Sequence, residues 1–117
     1  MKLIISFLCI SMSIFGATKS FAQDHKITTD SIKVAGNCGE CKERIEDAAY
    51  IKGVKEAHWD KNSHWLVLSY RNDKTSLDKI KSSILAAGHD LDSVKASDKA
   101  YEKLPKCCLY RSHVCNE

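Results

Sequence analysis

The apolar positions of this chain change their spacing from segment to segment, and each change marks an element. Leu3 to Phe15 (LIISFLCISMSIF) is almost wholly apolar, whereas residues 23–26 are polar. From Ile27 to Ala35 (ITTDSIKVA), Ile27, Ile32 and Val34 stand in a β-branched run with Lys33 between the last two, which predicts a half-buried strand. Gly36-Asn37 breaks it, and from Gly39 to about Tyr50 the residues are good helix formers, with Cys41, Ile45 and Ala48 on one stripe. Gly53 ends that helix. Val54 to Asp60 (VKEAHWD) reads as a second strand, turned by Asn62-Ser63 into a third, His64 to Arg71, where Leu66, Leu68 and Tyr70 share a face by period two. After the loop Arg71-Asn72-Asp73-Lys74, Thr75 or Ser76 can cap a second helix with Asp78 near its positive end. Its apolar stripe is Leu77, Ile80, Ile84 and Ala87; Gly88 stops it, and Leu91 to Val94 reads as a short fourth strand.

Strand, helix, strand, strand, helix, strand is the split βαβ order. It predicts an α+β fold, a ferredoxin-like βαββαβ sandwich with a four-stranded antiparallel sheet and two helices on one face. The domain is expected over residues 23–97, with a cysteine-containing tail over 98–117. In that tail Ala96 to Lys103 can add a helical turn or two, and Pro105, the only proline, precedes Cys107-Cys108. Trp65 and Val67 fall on the face opposite Leu66 and Leu68, with Trp59 expected near them. The simplest cover for that face is the tail, through Tyr101 and Leu104; a docked partner is the other.

The N-terminus adds a location. Lys2 precedes the apolar run, which is too short to span a bilayer, and Ser20-Phe21-Ala22 offers small residues before a cut. Residues 1–22 are therefore expected to be a signal peptide cleaved after Ala22, and the product secreted or periplasmic, with no membrane insertion of the mature chain. Removing Lys2 and Lys19 leaves 16 basic residues against 15 acidic ones, a balance that gives no electrostatic footprint for nucleic acid. Cys9 leaves with the peptide. The five remaining cysteines are Cys38, Cys41, Cys107, Cys108 and Cys115, an odd number that does not fit a closed disulfide framework.

The chemistry turns on GNCGECK at 36–42. A CxxC leading into a helix puts both sulfurs at the positive helix end, on a loop expected to be exposed, where thiolate is favoured. Thiolate is both a nucleophile and a soft-metal ligand, so two readings stand. A redox centre of thioredoxin type needs a proline facing the cysteines and alternating parallel strands, neither of which this order offers. A metal clamp of two thiolates suits Cu(I) or Hg(II) better than Zn(II), which would need two further donors.

With these elements in place the stretch GNCGECKERIEDAAYIKGVKEAHWDKNSHWLVLSY, followed by SLDKIKSSILAAGHD, resembles the heavy-metal-associated domain family over about residues 26–95. The marks are Gly-x-Cys-x-x-Cys at 36–41, Gly53-Val54 before the second strand, and Ala87-Gly88 after the second helix. The resemblance implies that Cys38 and Cys41 are the metal ligands. Asn37 stands where the family usually has Met, and His89 where it usually has Tyr or Phe. That loop faces the CxxC loop in the family fold, which makes His89 a possible further donor. Cys107 and Cys108 are candidates too, for the same ion or a second one; His113 beside Cys115 could join.

The expected function is that of an exported soft-metal-ion binding protein, copper chaperone-like, for transfer or sequestration. Cu(I) is the first choice of ion, with Hg(II), Zn(II) or Cd(II) behind. The partner would be a metal-transporting membrane protein or another metal-binding domain. A thiol–disulfide oxidoreductase using the same CxxC is the alternative. No Ser/His/Asp arrangement, phosphate-cradling glycine loop or paired-carboxylate site emerges, so no enzymatic activity is expected.

Overall fold

The computed structural model describes residues 26–112; the expected signal peptide, Gln23, His113 and Cys115 lie outside them. Strand β1 (Ile27–Lys33) pairs antiparallel with β3 (Trp65–Arg71), and β3 pairs on its other edge with β2 (Val54–Trp59), giving the order β1-β3-β2. The register sets Ile32 opposite Leu66 and Asp30 opposite Leu68 on one side of β3, and Trp59 opposite Leu66 and Ala57 opposite Leu68 on the other. Side chains alternate along a strand, so Leu66, Leu68, Tyr70, Ala57 and Trp59 all turn to one face and are buried. Ile27 is out of phase with Ile32 and Val34, and it is exposed.

Two helices cover that face. Helix α1 (Gly39–Ala49) buries Cys41, Ile45 and Ala49, and α2 (Leu77–Ala86) buries Ile80 and Ile84, at the spacing that makes one stripe of a helix. Ser76 caps α2, its Oγ accepting from the Lys79 N–H at 3.3 Å. Each large aliphatic side chain removed from water here stabilises the fold by about 1.5–3 kcal/mol. Trp65 and Val67 remain on the uncovered face.

The predicted fourth strand does not form among the described residues. Leu91 makes a single bridge to Val34, and its N–H donates to the Val94 carbonyl at 2.8 Å, closing a local turn through Asp92-Ser93. Asp90 holds the chain in this bend, its carboxylate accepting from the Ala96 N–H at 2.7 Å. Trp59 also departs from expectation. It is buried rather than on the open face, and its Nε1–H donates to the Val34 carbonyl at 3.0 Å.

Past the bend the tail folds back as helix α3 (Asp98–Glu102), capped by Ser97, and a 3-10 turn (Lys106–Cys108). It does not cover Trp65 and Val67. Leu104 and Cys108 instead join the core beside α1 and the end of α2. Gly88 makes this approach possible: its φ is +100°, and a Cβ there would lie 2.7 Å from the Ala100 carbonyl oxygen.

Candidate metal centre

The loop after β1 is drawn tight. A Cβ on Gly36 would lie 3.0 Å from the Trp59 ring and 3.1 Å from the Cys41 Cβ, so only glycine passes here without displacement. Cys38 follows in extended conformation as the N-cap of α1, which places Cys41 three residues on, at the same helix end. A CxxC opening a helix therefore converges its sulfurs. Cys38 Sγ and Cys41 Sγ are 3.6 Å apart, well beyond the roughly 2.05 Å of a disulfide bond. The Cys41 thiol donates to Asn37 Oδ1 at 3.1 Å, so the residue that departs from the family pattern contributes a side-chain acceptor to the loop.

The tail brings a third sulfur. Cys108 Sγ lies 3.9 Å from Cys38 Sγ, and Cys38 Sγ lies 3.5 Å from the Cys107 carbonyl oxygen. The ligand atoms of Cys38, Cys41 and Cys108 all fall within 4.8 Å of one another, and all three residues are buried. Beside them Glu40, Cys107 and Cys108 form a second such group, in which the Cys107 thiol donates to the Glu40 carboxylate.

Tyr110 and Arg111 hold the 3-10 turn over the loop. The Tyr110 hydroxyl donates to the Gly88 carbonyl at 2.7 Å and accepts from the Asp90 N–H at 2.8 Å. Arg111 grips both oxygens of Asp90, Nη2 to Oδ1 at 2.6 Å and Nε to Oδ2 at 3.0 Å, and Nη2 also donates to the Ala96 carbonyl at 2.9 Å. The guanidinium carbon sits 4.2 Å from the Tyr101 ring centroid.

This cover reverses the electrostatic expectation. Cys38 and Cys41 are 1% and 0% exposed, not open at a loop. Burial pushes the Cys41 thiol up, against a hydrogen bond from the Cys108 side chain and one from the Asn37 backbone, both of which favour thiolate. Burial, with the nearby Cys41, also raises Cys108, and the hydrogen bond to Glu40 lifts Cys107 to about 11. Desolvation outweighs the effects that favour thiolate at Cys41 and Cys108, and the Glu40 bond holds the proton on Cys107, so these three thiols keep their protons at neutral pH until something displaces them.

His89 belongs to neither sulfur group. It is fully buried, its Nδ1 lies 2.8 Å from the Ala35 carbonyl, and burial holds its pKa below the ordinary range. A carbonyl can only accept, so Nδ1 carries the proton, and Nε2 has no hydrogen-bond partner among the described residues. The ring stacks on Tyr110 with centroids 5.4 Å apart, which makes it a brace for the tail. Sequence reasoning missed Tyr110 and Arg111, which position Cys108. It also missed Trp59 as the wall behind the loop, although Trp59 shares the parity of buried Ala57.

A small α+β domain with an antiparallel sheet, two helices over one face and paired sulfurs at the start of the first helix is the architecture of heavy-metal-associated domains, and the family resemblance read from the sequence is met in the fold. No family model and no curated protein matches the chain. Among solved structures it is similar to the CopZ metallochaperone, at 27% identity and a TM-score of 0.53 over 55% of this chain and 98% of that one. The fold is also shared by a solution structure from Bacillus anthracis str. Ames (20% identity, TM-score 0.54, 56% and 96% covered) and by the CsoZ metallochaperone (19%, 0.50, 56% and 96%).

Proposed function

We propose that this chain is an exported carrier of a soft metal ion, Cu(I) first among the candidates, held by Cys38 and Cys41. The observation that carries the reading is the 3.6 Å convergence of two sulfurs at the N-terminal end of α1. Thiolates at that spacing select thiophilic ions over hard cations, and each ligation releases a thiol proton to water. The likeness to two metallochaperones supports the same reading. A thioredoxin-type redox centre would sit on alternating parallel strands, whereas every strand pair described here is antiparallel. Export rests on the N-terminal pattern of Lys2, the apolar run and Ala22.

The test is titration of the reduced protein with Cu(I) against a competing chelator, repeated with Cys38→Ser and Cys41→Ser. Each substitution is expected to abolish high-affinity binding. Unchanged stoichiometry in both variants overturns the proposal.

A further inference from the structure

We infer that the tail completes the site: Cys108 is a third thiolate ligand, so the ion is bound three-coordinate by sulfur, shielded from water, and is released only when the tail lifts. This rests on the proposed role of Cys38 and Cys41 and adds to it the coordination number and the means of release.

Geometry favours three sulfurs over two. With a metal–sulfur bond of about 2.3 Å, a linear two-coordinate ion needs its sulfurs ~4.6 Å apart, and a trigonal one needs them ~4.0 Å apart. Cys38 and Cys41 stand at 3.6 Å and Cys38 and Cys108 at 3.9 Å, both short of the linear separation and close to the trigonal one. Small outward shifts of the three sulfurs would seat a trigonal ion, whereas a linear one would require the Cys38–Cys41 pair to spread by about 1 Å. The wall opposite the tail resists spreading, because the Trp59 ring is pinned by its bond to Val34 and fills the space beside Gly36.

Burial supports the same assignment. Cys108 is fully buried at the end of a segment that carries its own anchors, Leu104, Tyr110 and Arg111. A sulfur placed there meets the other two sulfurs on one side and core on the other. Cys107, next in sequence, faces outward to Glu40 and is assigned no part in the first ion's shell. Binding is balanced by release of three thiol protons to solvent as the three metal–sulfur bonds form.

The experiment loads the reduced full-length mature protein with one equivalent of Cu(I) and compares it with Cys108→Ser and Cys107→Ser. X-ray absorption at the copper edge counts the sulfur neighbours, and chelator competition gives affinity. The expected result is three sulfurs in the parent and in Cys107→Ser, and fewer in Cys108→Ser, with affinity lower by about 10-fold or more. Two sulfurs in the parent, or three in Cys108→Ser, overturns the third-ligand assignment while leaving Cys38 and Cys41 in place. A larger loss in Cys107→Ser than in Cys108→Ser also overturns it. Failure of the underlying reading looks different, because copper is then retained when Cys38 and Cys41 are both replaced. Circular dichroism on each variant confirms that the fold is kept.

Discussion

Replacing Arg111 with alanine is expected to unlatch the tail. The guanidinium donates two bonds to Asp90 and a third to the Ala96 carbonyl, and its other arm reaches Asp98 at 3.2 Å. Asp98 is almost fully exposed, so that arm adds little. The Asp90 fork is better protected, with side chains 25% and 13% exposed. Charge-assisted bonds in such a setting contribute about 1.5–3 kcal/mol, and discounting for the water that still reaches Arg111 leaves about 2 kcal/mol for the latch. That energy is present only while the tail is docked, so losing it raises the undocked population about 30-fold. Undocking uncovers Cys38 and Cys41, whose alkylation at low reagent concentration reports the open fraction. Arg111→Ala should therefore speed alkylation of these two cysteines by about 30-fold, measured by peptide mass, with far-UV circular dichroism unchanged. Arg111→Lys keeps the charge and loses the fork, and should fall between. An unchanged rate in a folded Arg111→Ala protein would refute the reasoning, because the cover over the sulfurs would then not be the tail.

The same latch responds to acid. Burial opposes ionisation of Asp90, but the Arg111 fork and the Ala96 N–H more than offset it and hold the carboxyl below its ordinary 3.8. A depressed carboxylate contributes stability above its unfolded pKa and loses it as pH falls through the folded one, so the melting-temperature gap between wild type and Arg111→Ala should be constant near neutrality and close below about pH 4. Tyr70 runs the other way: its hydroxyl donates to Asp30 Oδ2 at 2.6 Å, which with burial pushes its pKa up to about 12. The retained proton stabilises the fold up to the unfolded phenol value near 10, and the gain disappears as pH climbs from there to 12; tyrosinate absorbance, with Tyr70→Phe as the blank, should show the titration falling toward 10 in Asp30→Asn. Gly36→Ala pushes a methyl to 3.0 Å from a Trp59 ring that cannot swing away, and should cost about 1–3 kcal/mol in urea unfolding, whereas Gly39→Ala, whose Cβ would meet nothing within 4 Å, should not.

What could be read from the sequence follows from how local each signal is. Strand β3 and both covering helices declare themselves by period, because Leu66, Leu68 and Tyr70 alternate, and Cys41 and Ile45, like Ile80 and Ile84, lie one turn apart. Cys38 and Cys41 are equally legible, since a spacing of three at a helix start fixes their convergence by local geometry alone. The fourth strand failed because Leu91 to Val94 has one apolar residue at each end and turn formers between them. Its fate was decided by Asp90, whose partners Ala96 and Arg111 lie 6 and 21 residues onward. The tail cysteines were visible as candidates, but which of them turns inward depends on the seating of Leu104 against Gly88 and of Tyr110 against His89, contacts that no periodicity announces. Burial of the sulfurs was missed for the same reason: the covering residues are some 70 positions away.

That burial changes how an ion could move. Two sulfurs on an open loop exchange ligands directly with an incoming thiolate, while three sulfurs under a docked tail exchange only from the open form. Burying Leu104 contributes about 1.5–3 kcal/mol to docking and the Asp90 fork about 2 kcal/mol, offset in part by the entropy of ordering the segment. A net of about 3 kcal/mol would leave under one molecule in a hundred open, slowing unassisted delivery by that factor. A receiving protein that competes for Tyr110 or Arg111 would lift the restraint at the moment of contact, whereas a bare thiol of the same affinity would not. Delivery to a cognate domain should therefore gain little from Arg111→Ala, while loss to a small-molecule thiol should speed up with it. Equal acceleration toward both acceptors would show that the tail guards the site without recognising anything.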